Sequence, residues 1–183
     1  MSELNEDIII QDLRTDKYRR AAFEKVVSMY SEKLYWQIRK MVLNHDDAND
    51  ILQNTFLKAW ANLDNFRGDA KLSTWLYRIA INESITFLNS LSKKNGIEVD
   101  DPEGLLMDRL ESDNFFDGDS VAFKLQKAIL TLPEKQRLVF NMRYFDELKY
   151  DEISEILGTS VGALKASYHH AAKKIEEYML REV

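Results

Sequence analysis

YDEISEILGTSVGALKASYHHAAKKIEEYM, residues 150–179, decides how the rest of the chain is read. Ile153, Ile156 and Leu157 fall on one helical stripe that stops at Gly158, a residue suited to a left-handed C-cap. Thr159 and Ser160 follow as N-cap candidates for a second helix. That helix buries Val161, Leu164, Tyr168, Ala171, Ile175 and Met179 at steps of three and four. Its opposite face carries Gly162, Ala163, Ala166, His169, His170 and Lys173, with Lys165 on the edge. The face starts small and becomes basic. Small residues let a helix backbone sit deep in a major groove, and basic and imidazole groups reach phosphates and base edges. An antiparallel helical hairpin with a solvated face would share the pattern.

The stretch before it favours DNA. LPEKQRLVFNMRYF (132–145) puts Pro133 at a natural first helical position and carries a stripe through Leu138, Met142 and Phe145. Three successive amphipathic helices with a tight turn before the last form a trihelical helix-turn-helix core.

Composition bounds the remainder. The 183 residues leave room for one larger domain or two small ones. Two prolines and six glycines suit helices better than a turn-rich β fold. No apolar run approaches a membrane span and no signal peptide opens the chain, so a cytoplasmic protein without membrane insertion is expected. The absence of cysteine excludes disulfides, thiolate chemistry and cysteine-ligated zinc.

The net charge of −6 looks wrong for a nucleic-acid binder until it is divided. Residues 1–95 and 123–183 each carry a net +1, whereas residues 96–122 hold one basic and nine acidic residues. The middle segment also contains Pro102, three of the glycines and no sustained helical period. It reads as an acidic flexible linker between two small helical domains, 1–95 and 123–183. Leu105, Leu106, Leu110, Phe115 and Phe116 hint that parts of it dock, on a partner or on the chain itself.

The N-terminal domain is expected to hold three long helices. The first, from about Tyr18 to Val42, buries Phe23, Val26, Val27, Tyr30, Leu34, Ile38 and Met41. The second (DDANDILQNTFLKAWANL, 46–63) buries Ala48, Ile51, Leu52, Thr55, Phe56, Ala59, Trp60 and Leu63, with acids at its start that complement the helix dipole. Its other face collects Asp50, Gln53, Asn54 and Leu57, an apolar anchor among register-fixing polar groups. A single exposed leucine is also ordinary. The third helix buries Leu72, Leu76, Ile79, Ala80 and Phe87. One flank gathers Lys71, Thr74, Arg78, Asn82 and Asn89, with Trp75 and Thr86 beside it, and no acid. Amides read base edges, aromatics stack on unpaired bases and cations hold the backbone. A solvated flank with a core tryptophan is the plain alternative.

In order along the chain, DDANDILQNTFLKAW, FRGDAKLSTWLYRIAINESITFL, LPEKQRLVFNMRYF and YDEISEILGTSVGALK resemble the extracytoplasmic-function (ECF) group of bacterial RNA polymerase sigma factors. The resemblance spans nearly the whole chain except the acidic segment and the first dozen residues. It implies an all-α, non-enzymatic initiation factor with no cofactor, metal or catalytic residue. The implied partners are the clamp and flap of the polymerase core, promoter DNA and an anti-sigma factor. Asp50, Gln53, Asn54 and Leu57 would dock the clamp. Phe66, Arg67, Lys71, Trp75, Arg78, Asn82 and Thr86 would open and read the minus-ten element, with a base flipped into the loop. Ser160, Gly162, Ala163, Lys165, Ala166, His169, His170 and Lys173 would read the minus-thirty-five element. The acidic segment would thread the RNA exit path.

Several positions depart from the pattern. Asn54 stands where an acid is frequent. Lys149 replaces the usual serine before YDE and removes an N-cap, a cost of about 1 kcal/mol unless another group substitutes. The last helix lacks the arginines common in relatives. His169 and His170 are adjacent and cannot face one metal from a helix. A polymerase-independent helix-turn-helix regulator is the competing reading, and a helical adaptor that never binds DNA is a third. The FRGDAKLSTW loop separates them, since a repressor needs no element for single strands.

Overall fold

A computed structural model describes residues 3–66, 68, 70–94, 102–113 and 121–181, and they contain helices and turns but no strand. The N-terminal half holds α1 (Glu3–Leu13), α2 (Asp16–Val42), α3 (His45–Ala61) and α4 (Leu72–Lys94), with a 3-10 turn at Leu63–Asn65. Three of these match the expected helices. α1 was not expected, because its apolar residues Ile8, Ile9 and Ile10 run consecutively and give no helical period. It packs on α2 and buries Ile9 and Leu13.

Each N-terminal helix follows its stripe. α2 buries Val26, Tyr30, Leu34, Ile38 and Met41, with Phe23 and Val27 half-buried. It ends at Leu43, which takes the left-handed conformation (φ 52°) usually left to glycine, while its N–H reaches the Arg39 carbonyl at 3.0 Å. Burial of the Leu43 side chain against Leu106, Leu110, Phe123 and Leu130 offsets that strain. α3 starts at Asn44, whose Oδ1 accepts from the Asp47 N–H at 3.0 Å. Trp60 departs from expectation. It is 42% exposed, its ring meeting Phe23 edge-on at the rim of the α2–α3 groove.

The acidic middle segment also departs. Residues 102–111 form a helix, α5 (Pro102–Glu111), although no helical period was read there. Leu106 and Leu110 are fully buried, and Arg109 bonds the Val42 carbonyl at 3.0 Å and Asp47 at 2.7 Å. Arg39 pairs with Asp113 from the other side. So the segment docks on its own chain at the α2–α3 junction. Phe115 and Phe116 lie outside the described residues.

The C-terminal half is α6 (Val121–Leu130), α7 (Glu134–Tyr144), α8 (Tyr150–Leu157) and α9 (Val161–Arg181). Pro133 caps α7 rather than opening it. Gly158 sits at φ 63° and closes α8 through its N–H to the Ser154 carbonyl at 2.8 Å. Ser160 then starts α9, its carbonyl accepting from Leu164 at 3.0 Å. The two halves share one apolar core: Leu138, Val139, Met142, Ile153, Ile156 and Leu164 join the cluster built on α1–α4.

Candidate nucleic-acid interface

α3 presents the first candidate surface. Ala48, Ile51, Thr55, Phe56 and Ala59 face inward, which turns Asp50, Gln53, Asn54 and Leu57 outward together. Leu57 is 60% exposed. Gln53 and Leu57 also line a groove with Phe23, Val27, Leu52 and Trp60, so the apolar anchor continues into a recess between α2 and α3.

The second surface is the flank of α4. Leu72, Leu76, Tyr77, Ala80 and Ile81 are buried, leaving Lys71, Arg78, Asn82, Thr86 and Asn89 exposed along one side, with Trp75 half-buried beside them. Thr74 does not belong to it: it is 5% exposed and faces the core. Phe66 is likewise buried, its ring 4.9 Å from Trp75. It therefore forms the floor under the loop rather than an outward-facing group. Gly68 takes φ +79°, a conformation that side chains rarely adopt. Arg67 lies outside the described residues. The Thr86 hydroxyl already donates to the Asn82 carbonyl at 2.7 Å, keeping its lone pairs for another donor.

Lys71 has a partner from the other half of the chain. Its Nζ lies 2.9 Å from Glu152 Oε1 at the start of α8. Burial opposes the Glu152 charge, but bonds from Lys71 and from the Lys149 backbone outweigh it and hold the carboxyl below its usual range. Glu152 also repairs the helix start that Lys149 weakens. Lysine has no acceptor, so only the reciprocal half of a capping box forms, with the Lys149 N–H donating to Glu152 Oε2 at 2.9 Å. Glu152 was missed as an organising residue, though an acid three positions into a helix is a readable signal.

Nearby, Lys40 of α2 bonds Asp146 at 2.6 Å, with both side chains largely buried (14% and 5% exposed). Burial raises the Asp146 carboxyl against the opposing pull of Lys40, and its second oxygen, Oδ2, has no partner. These groups line an open cleft of about 860 Å³ between the halves, together with Tyr30, Trp36, Tyr77 and Phe145.

The third surface is the outer face of α9. Leu164, Ala171 and Ile175 turn inward. Ser160, Gly162, Ala163, Lys165, Ala166, His169, His170 and Lys173 are all exposed. A side chain added at Gly162 would meet nothing within 4 Å, so this chain's own packing does not require a glycine there. Lys165 lies over the Tyr150 ring at 5.8 Å, which anchors its stem toward α8. Ser160 Oγ makes only a long contact, 3.4 Å, with the Ala163 N–H.

Comparison with known proteins covers both halves. Residues 26–94 match the family described as Sigma-70 region 2, and residues 122–175 match Sigma-70, region 4. The chain is similar to the ECF RNA polymerase sigma factor SigW of Bacillus subtilis (strain 168), 36% identical across 86% of this chain and 89% of that protein. It is also similar to the ECF RNA polymerase sigma-E factor of Escherichia coli (strain K12), 30% identical across 96% of this chain and 95% of that one. Among solved structures, CnrH in complex with the cytosolic domain of CnrY has a TM-score of 0.71 at 19% identity, covering 97% of this chain and 99% of that one. The sigma factor RpoE of Bartonella quintana, in complex with the anti-sigma factor NepR, has a TM-score of 0.66 at 22% identity, covering 86% and 96%. These structures share the fold.

Proposed function

The chain belongs to the ECF group of RNA polymerase sigma factors, and we propose that its three exposed surfaces divide initiation between polymerase docking, strand opening and duplex reading. As a member of that group it binds RNA polymerase and directs promoter recognition. The assignment of surfaces is supported above all by one observation: Leu57 stands 60% exposed on α3 among Asp50, Gln53 and Asn54, at the edge of the recess between α2 and α3. An apolar anchor ringed by polar groups fits a helical partner such as the polymerase clamp.

Strand opening belongs to the α4 flank. Trp75 over the buried Phe66 offers a stacking surface, Asn82 and Thr86 offer hydrogen bonds to base edges, and Lys71 and Arg78 hold phosphates. Duplex reading belongs to α9, where the open space at Gly162 and Ala163 admits a groove wall and Lys165, His169, His170 and Lys173 follow along it. Residues 1–95 and 123–183 act as separate units here, joined by the acidic segment 96–122. The minus-ten and minus-thirty-five elements lie about 25 base pairs apart, about 85 Å at ~3.4 Å per pair. The halves meet at Lys71 and Glu152, and a compact chain of this length, with a radius of gyration of about 16 Å, is too small to span them. Promoter binding therefore parts the two halves and frees α5 from Leu43 and Phe123, releasing the acidic segment to lie along the RNA exit path.

The chain works without catalysing a reaction itself, in the cytoplasm with the polymerase. Among the described residues no helix is long and apolar enough to cross a membrane. An anti-sigma partner is proposed because a structural relative, the sigma factor RpoE of Bartonella quintana, is found with the anti-sigma factor NepR. The test is co-purification with core polymerase, together with transcription from genomic DNA. Leu57→Asp is expected to abolish both while shifting stability by less than about 0.5 kcal/mol, as surface changes do. A folded Leu57→Asp protein that still binds core refutes the docking face. A wild-type chain that binds DNA but never core returns the reading to a polymerase-independent regulator.

A further inference from the structure

α1 supplies something that the start of α4 lacks. Lys71 occupies the N-cap position of α4, its carbonyl accepting from Trp75 at 3.1 Å, but its side chain carries three donors and no acceptor. The first turn of α4 contains no acidic residue either. The Leu72 N–H donates instead to Glu6 Oε1 at 2.9 Å, a contact that spans 66 positions of chain. A carboxylate at that end also complements the helix dipole.

Two more contacts run from the α1–α2 hairpin to the same loop. Arg14 Nη2 lies 3.0 Å from the point where a Cβ on Gly68 would sit, so the loop backbone closes down on the arginine. Arg19 bonds the Leu13 carbonyl through Nε at 3.0 Å and Asp64 Oδ1 through Nη2 at 2.8 Å, tying the end of α1 to the 3-10 turn. Ile9 and Leu13 enter the same apolar cluster as Phe66 and Leu72. The loop is thus held at its entry, its glycine and its exit by one hairpin.

We infer that Glu6 is a positioning residue for strand recognition, capping α4 from outside and so fixing the loop around Gly68 relative to Trp75, Arg78 and Asn82. This rests on the proposed role of the α4 flank. A helix cap is worth about a threefold to tenfold change in an equilibrium. The loss should appear as poorer discrimination between bases, because the loop and the α4 side chains would no longer hold one separation.

The experiment uses holoenzyme reconstituted from the full chain and polymerase core. Its affinity is measured on fork-junction probes whose minus-ten strand is intact or carries single-base changes. Glu6→Ala is expected to lower discrimination about fivefold with core affinity unchanged, whereas Glu6→Gln, which keeps an acceptor oxygen, stays within about twofold of wild type. Hydrogen exchange should quicken at residues 68–75 in Glu6→Ala and keep its protection in α2 and α3. Wild-type discrimination in Glu6→Ala overturns the inference. So do equal losses in the Ala and Gln variants, or a general loss of protection and core affinity. Asn82→Ala keeps the two questions apart: if it too discriminates like wild type, the reading of the α4 flank falls, and the role of Glu6 falls with it.

Discussion

At the start of α4, the residues around the strand-opening loop sit among contacts from the rest of the chain: Glu6 at Leu72, Phe66 under Trp75, Glu152 on Lys71. Arg78, Asn82 and Thr86 extend from that held end as an exposed row. Along α9, the residues assigned to duplex DNA are exposed, with Lys165 reaching over the Tyr150 ring of α8 and Lys173 paired at 4.0 Å within its own helix, to Glu177. The difference follows from what each must do. A duplex has its own shape, so a rigid convex helix suffices to meet it. A single strand has none, and the protein must hold bases in a preformed geometry supplied by several elements.

The comparison depends on the halves being held together in the free chain, and the buried Lys40–Asp146 pair is the strongest single test of that. Removing the cation leaves an uncompensated carboxylate in the cleft. Lys40→Met should cost about 3 kcal/mol in urea unfolding, while Asp146→Asn should cost less, because Lys40 is the more exposed partner (14% against 5%) and its flexible stem can carry the ammonium to water. Costs below about 0.5 kcal/mol for both would mean that the pair is solvated and holds nothing.

A smaller effect is expected at Glu152, whose partner Lys71 is 57% exposed by side chain. Glu152→Gln keeps the acceptor for the Lys149 N–H but loses the charge, and should cost less than about 1 kcal/mol. The two carboxylates should answer acid with opposite signs. Glu152 is held below its usual range, so its contribution is present at neutral pH and is lost as pH falls through its folded value. Asp146 is raised, so its contribution is present in acid and is lost as pH rises through its folded value. Stability measured between pH about 3 and 6 should therefore fall less steeply on acidification in Glu152→Gln than in wild type, and more steeply in Asp146→Asn. Parallel curves for all three proteins would remove both carboxylates from the linkage.

The fold was legible wherever burial repeats at helical spacing. The stripes of α2, α3, α4 and α9 were readable, as was the Gly158 turn, because each is written within a single helix or turn. α1 and α5 were not. Three consecutive isoleucines carry no period, and acidic composition masked Leu106 and Leu110, which become a stripe only where Leu43 and Phe123 face them. The candidate faces on α3 and α9 were legible for the same reason that their helices were. Thr74 is buried although it projects onto the α4 flank, because a face projected from one helix does not show what packs over its edge. Glu6 reaches Leu72 and Glu152 reaches Lys71 across 66 and 81 positions, contacts that no local pattern encodes, whereas the bond from the Lys149 N–H to Glu152 is local and readable.

The smallest expected effect belongs to Lys173. Lys173→Ala should weaken binding to every upstream duplex alike and lower the salt slope by about one unit, as loss of one phosphate contact does. A change in preferred sequence would instead make Lys173 a base reader.

The division of labour between α4 and α9 is tested most directly by measuring two holoenzyme variants on two probes, a single-stranded minus-ten oligonucleotide and an upstream duplex without the minus-ten element. Asn82→Ala should lose about 1–3 kcal/mol on the single strand and nothing on the duplex. His170→Ala should alter which upstream duplex is preferred and leave the single strand untouched. Loss of both activities in either variant, or the reverse pattern, would contradict the account.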